Sequence, residues 1–121
     1  MRKRFRVFDT ERQQYTKPQD WSLGVESGMV RGTYGEEFPE MVAEQYLGLQ
    51  DKNGVEACVG DLRMYGGKKY KITDWEWCYI FERNLVEFGD NETIVIGEDE
   101  IWESDIVGFY LQDKANDNLK K

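Results

Sequence analysis

Polar and apolar residues alternate along most of this chain with the period of two that marks strands whose two faces meet different surroundings. The opening KRFRVFDT sets Phe5, Val7 and Asp9 on one side and Arg4, Arg6 and Phe8 on the other. A polar stretch from Asp9 to Gln13 suits a turn, after which Gln14 to Thr16 return as a partner strand that Pro18 stops. From Asp20 to Pro39 the pattern weakens among scattered glycines and reads as a long loop with short strands. Glu40 to Gln50 has helix propensity, but Gly48 and the turn that follows favour a strand over roughly Met41 to Leu49.

The next segment is dense in turn chemistry. Asp51-Lys52-Asn53-Gly54 pairs an aspartate able to bond the backbone two residues on with an Asn-Gly step that tolerates positive φ. Val55 to Val59 is the return, Gly60-Asp61 a second bend, Leu62 to Tyr65 a strand, and Gly66-Gly67 a hairpin into Lys68 to Thr73. There Tyr70 and Ile72 face one way, Lys69, Lys71 and Thr73 the other. DWEWCYIFE then predicts one long strand, with Trp75, Trp77, Tyr79 and Phe81 on one face and Glu76, Cys78, Ile80 and Glu82 on the opposite one. LVEF and ETIVIG read as short strands; an acidic loop, IWESDIVGFYL and a polar tail from Asp113 to Lys121 complete the chain. Short strands with Gly, Asn and Asp turns between them predict a mainly β sandwich or barrel.

At 121 residues the chain suits one domain. Its 40% hydrophobic and 14% aromatic content supplies a core that an acidic disordered chain lacks. The net charge of −8 opposes sequence-independent binding to duplex nucleic acid, which draws on Lys and Arg. No apolar run reaches membrane-helix length, and the basic start MRKRFRVFDT lacks the apolar core of a signal peptide, so a cytoplasmic chain with no membrane partner is expected. Histidine is absent, which removes the commonest general base and metal ligand together. Cys58 and Cys78 make no disulfide framework and read as free thiols without an activating neighbour.

Other sites have simpler readings. The DKNG loop carries its glycine fourth, where a calcium-binding EF-hand loop needs it sixth with a glutamate at position twelve, so it is a turn. Gly66-Gly67-Lys68-Lys69 lacks the spacing, hydroxyl and helix of a phosphate loop. Glu98, Asp99, Glu100, Glu103 and Asp105 read as a solvated acidic loop rather than a metal site. No catalytic, cofactor-binding or metal-ligating residue is assigned, and none of these functions is expected. Most of the row Trp75, Trp77, Tyr79, Phe81 reads as barrel core, but with Cys78 and Ile80 on the reverse face the strand is apolar on both sides, more than one small barrel buries, so some of it should meet another chain or the N-terminal half; Trp75, Trp77, Tyr79, Ile80 and Phe81 are the candidate interface. The basic cluster Arg2, Lys3, Arg4, Arg6 on an acidic body suits contact between subunits.

QYLGLQDKNGVEACVGD, Gln45 to Asp61, resembles a segment of the YopX-like proteins of phages and prophages. Gly48, Leu49, Asp51, Lys52, Asn53, Gly54, Glu56, Gly60 and Asp61 match the pattern, while Leu47 replaces a threonine and Ala57-Cys58-Val59 replaces Ile-Tyr-Glu. RFRVFDTERQQY and DIVGFYLQD are similar to that family's opening and closing motifs, with Phe109 standing where it has asparagine, and Trp21 to Pro39 are unmatched. The resemblance implies a mainly β fold, a large mixed or antiparallel sheet whose C-terminal half forms a small SH3-like barrel, and self-association. It divides a single domain, residues 1–112, into N-terminal strands with a long loop (1–45) and the small barrel (46–112), followed by the polar tail 113–121. Gly48, Asp51, Asn53, Gly54, Gly60 and Asp61 are its structural turn motif.

The expected function is that of a non-enzymatic phage or prophage accessory protein in the bacterial host's cytoplasm, acting through protein contacts as a homo-oligomer, with a host or phage protein as further partner. Two alternatives remain. The acidic surface imitates nucleic acid and occupies a host protein. Or the small barrel binds single strands through Lys68, Lys69 and Lys71 with Tyr70 as a stacking ring.

Overall fold

A computed structural model describes residues 4–16, 24–26, 29–31 and 36–119. Arg2, Lys3, Pro18, Trp21 and half of the Asp20 to Pro39 reading lie outside the described residues. The fold is mainly β, with two antiparallel sheets, one of them curled into a half-barrel. The first sheet runs β2-β1-β5-β6, from β1 (Phe5–Asp9), β2 (Gln14–Tyr15), β5 (Met41–Gln50) and β6 (Glu56–Cys58). A separate short hairpin joins β3 (Gly24–Glu26) to β4 (Met29–Arg31). The second sheet has the order β10-β9-β8-β7-β11, from β7 (Asp61–Tyr65), β8 (Lys68–Trp75), β9 (Cys78–Arg83), β10 (Glu92–Val95) and β11 (Asp105–Phe109).

Strand β5 links the two regions. Its first half pairs with β1, from Met41 opposite Asp9 to Gln45 opposite Phe5, and its second half pairs with β6, from Tyr46 opposite Cys58 to Gln50 opposite Glu56. The hand-over falls at Gln45 and Tyr46. The core lies where Leu47 and Leu49 of β5 and Ala57 of β6 meet the inner face of the second sheet. There Tyr70, Ile72 and Phe81 pack with Ile101, and Phe81 stacks on Tyr70 at 5.5 Å. Burying side chains of this size contributes about 1.5–3 kcal/mol each. Between β7 and β8, Gly66 and Gly67 both take positive φ, 58° and 82°, the two-residue turn whose twist matches paired strands.

Four expectations are corrected. DWEWCYIFE is not one strand: β8 ends at Trp75, Glu76 and Trp77 form a two-residue turn, and β9 begins at Cys78, paired with Trp75. The alternation runs unbroken through a turn that contains neither glycine nor asparagine, which hid it. LVEF is a one-turn helix, α1 (Leu85–Phe88), because the Asn84 side chain accepts the Glu87 N–H at its start and Gly89 closes it at φ 88°. The acidic loop is the helix α2 (Glu98–Trp102), and the polar tail is helical: α3 (Tyr110–Leu119) runs across the 112/113 boundary. Contacts hold α3 in place, since Ala115 is buried, Gln112 donates to the Gln13 carbonyl and Lys114 pairs with Glu87 at 3.1 Å. Among the described residues no helix is long and apolar enough to cross a membrane.

Candidate functional site

The turn motif converges on a buried charge cluster between the sheets. Asp51 Oδ1 accepts the N–H groups of Asn53 and Val55 at 2.8 and 3.0 Å, closing the DKNG turn, while its Oδ2 accepts Arg63 Nη1 at 2.8 Å. Asn53 and Gly54 form the exposed tip of that turn, and Gly48 lies within β5 at φ 78°, where the register with β6 shifts. Asp61 accepts the Cys58 N–H at 3.0 Å, Arg6 Nη1 at 2.7 Å and Arg63 Nε at 3.4 Å. Arg6 also donates to Glu44 at 2.8 Å and to the Val59 carbonyl at 3.1 Å, and its guanidinium lies over the rings of Tyr15 and Phe109. The Tyr15 hydroxyl donates to Glu44 at 2.5 Å. Gly60 stands at φ 88° against the Glu44 carboxyl, so closely that any Cβ there would displace that carboxyl.

Two arginines thus face three carboxylates with almost no water around them. Burial pushes Asp61 above the usual carboxylate range and outweighs Arg6. At Asp51 the same burial is overcome by the Val55 N–H and by Arg63, and its pKa falls. Burial and the Glu44 carboxylate hold the Tyr15 phenol neutral, and burial pushes the Cys58 thiol up to about 12. Burial is the largest single influence on Arg6 and lowers it, but Glu44, Cys58, Asp61 and Tyr15 together raise it by more, so it stays charged. The thiol and phenol keep their protons and the carboxylates are tied to arginines, so the chemistry on offer is cohesion: the cluster bolts β1 and β5 to β7 and to Ser104, which Arg63 reaches at 3.3 Å. Arg63 Nη2 is buried without a partner among the described residues.

Elsewhere, the sequence-predicted groups are dispersed. Glu98, Asp99 and Glu100 occupy the first turn of α2, where Glu100 accepts the Gly97 N–H, and Asp105 lies 3.8 Å from Lys52. Among the described residues no group of three His, Cys, Asp or Glu side chains is placed to hold a metal. Tyr70 is buried under Arg83, Lys68 pairs with Glu92 and Asp90, and Lys71 lies over Tyr110, so this strand presents no stacking ring.

The candidate interface divides. Ile80 and Phe81 are 5% and 0% exposed and belong to the interior, because the turn at Glu76 and Trp77 puts them back on β9 under neighbouring strands. Tyr79 is half-buried, whereas Trp75 and Trp77 are 54% and 95% exposed at the β8–β9 tip. One surface went unread in the sequence. Strand β10 forms an outer edge of the second sheet, and because the Ile96 N–H bonds the Tyr79 carbonyl, the register turns the backbone groups of Thr93 and Val95 outward. The uncharged outward positions of ETIV are the signal for it. Compared with known proteins, the chain matches no protein-family model and no curated protein.

Proposed function

We propose that this chain acts through protein contacts as a homo-oligomer, in the role of a phage or prophage accessory protein that its resemblance to YopX-like proteins suggests. The observation that carries the contact reading is the β10 edge. Natural sheets blunt their edges with short strands, bulges, lysines or a covering element. Here β2, β3, β4 and β6 are two or three residues long, and β11 has a register shift between Ile106 and Gly108 and runs straight into α3. β10, four residues long, has no bulge, lysine or covering element among the described residues. Its outward residues Thr93 and Val95 are exposed and uncharged, so two copies meet there without like charges despite a net charge of −8 each, while Glu92 is held by Lys68 at 3.1 Å. A two-fold axis through Ile94 sets Thr93 against Val95 of a second copy, a pair that exchanges both backbone hydrogen bonds and extends the sheet.

Light scattering at tens of micromolar tests this. The wild type is expected above monomer mass, and Val95→Lys, at a side chain 60% exposed on the strand edge, is expected to return it to monomer with an unchanged circular dichroism spectrum. A monomeric wild type sinks the reading.

A further inference from the structure

Three arginines in this fold are held alike. Arg4 lies over the Tyr46 ring and pairs with Glu56; Arg6 lies over Tyr15 and Phe109 and pairs with Glu44 and Asp61; Arg83 lies over Tyr70 and Phe88 and pairs with Asp90. In each, ring faces attract the guanidinium and a carboxylate takes its N–H groups. Among the described residues, the β8–β9 tip offers the same two acceptors and no cation. Trp75 and Trp77 are exposed there beside the exposed carboxylates of Asp74 and Glu76, neither of which has an ion-pair partner among the described residues. No Lys or Arg occurs between Lys71 and Arg83.

The tip also stands clear of the sheet. β7 accompanies β8 only as far as the Gly60–Ile72 bond, and β10 accompanies β9 only as far as the Ile96–Tyr79 bond, so Thr73 to Cys78 form a two-stranded finger. Its turn is poorly suited to turning: Glu76 holds φ 53°, where a two-residue hairpin favours Gly, Asn or Asp. Its residues answer to some need other than reversal of the chain.

We propose that this finger docks an arginine-bearing segment of a separate basic polypeptide, whose guanidinium lies against Trp75 or Trp77 and bonds Asp74 or Glu76. The proposal rests on the reading of the chain as a protein-contact module and is independent of β10 pairing. Calorimetric titration of the full chain with a hexa-arginine peptide at roughly physiological salt tests it. Saturable binding is expected, weakened about tenfold by Trp75→Ser with Trp77→Ser, the loss of two ring contacts. Asp74→Asn with Glu76→Gln should weaken it comparably, whereas Glu98→Gln with Asp99→Asn, removing equal charge from α2, should leave it within about twofold. Unaltered affinity in the tryptophan variant overturns the proposal, as does equal weakening by the α2 pair, which would mean attraction to the acidic body at large. If the tryptophan variant instead lowers the oligomer mass and leaves peptide affinity intact, the finger contacts a second copy and the proposal falls. A wild type that is monomeric yet binds the peptide removes the oligomer and keeps the finger.

Discussion

Substituting alanine at Gly60 probes the charge cluster at its tightest point. The backbone there holds φ 88°, and a non-glycine residue in left-handed backbone costs about 1–2 kcal/mol. An added Cβ would lie 2.6 Å from Glu44 Cδ and nearer still to its Oε2, so the carboxyl must swing away. That breaks the bonds Glu44 accepts from Arg6 and Tyr15. Breaking a buried ion pair costs about 3–5 kcal/mol, and the low end applies because Arg6 keeps Asp61 and the Val59 carbonyl. The expected total is about 4–5 kcal/mol, comparable to the whole stability of a marginal domain. Urea unfolding followed by circular dichroism measures it, with Gly54→Ala as reference: that glycine has φ 79° but open space around it, so only about 1–2 kcal/mol should be lost. In a Glu44→Ala background, kept folded by an osmolyte, Gly60→Ala should shrink to the reference cost. If Gly60→Ala costs no more than Gly54→Ala, or costs the same without Glu44, the close approach is not what makes glycine necessary.

Other expectations concern titration and reactivity. Cys78 should react with an aromatic disulfide reagent at mildly alkaline pH while Cys58, buried with its thiol raised to about 12, reacts only on unfolding; two fast-reacting thiols in the native chain would contradict this. Burial and the bond to Glu87 raise Tyr110 from 10.0 to about 12, so its stabilisation is complete below the lower value and is lost as pH climbs between them; Tyr110→Phe should flatten that part of the alkaline stability curve. The pKa of Asp51 lies below its usual 3.8, so its contribution is complete above that value and lost as pH falls further, and urea midpoints of Asp51→Asn should fall less steeply with acid than those of the wild type.

How far the fold was legible depended on where local chemistry and tertiary placement agreed. Alternation and turn residues located β1, β2, β5, β7 and the start of β8, because Gly, Asn, Asp or Pro steps stand near an end of each strand there. Where the boundary lacks such residues, as at Glu76 and Trp77, two strands read as one, and of the five candidate interface residues Ile80 and Phe81 lie in the interior, which is where the core reading of the aromatic row puts most of its rings. LVEF carried its Asn and Gly caps in plain sight, yet four apolar and acidic residues fit a strand as readily. α3 is polar throughout, and its helical state depends on anchors from distant parts of the chain, such as Gln13 and Glu87. The turn motif was read as backbone geometry; that Asp51, Gly60 and Asp61 also close a cluster with Arg6, Glu44 and Arg63 requires the sheets to be brought together, which no short-range spacing encodes.

Strand β5 belongs to two partnerships at once, held by β1 along one half and by β6 along the other. A crack opening in either region therefore travels along a shared rib into its neighbour. Melting should occur in a single step, and a shortened chain starting at residue 46 would inherit half a rib together with an Asp61 that has lost Arg6 and keeps only Arg63 and the Cys58 N–H.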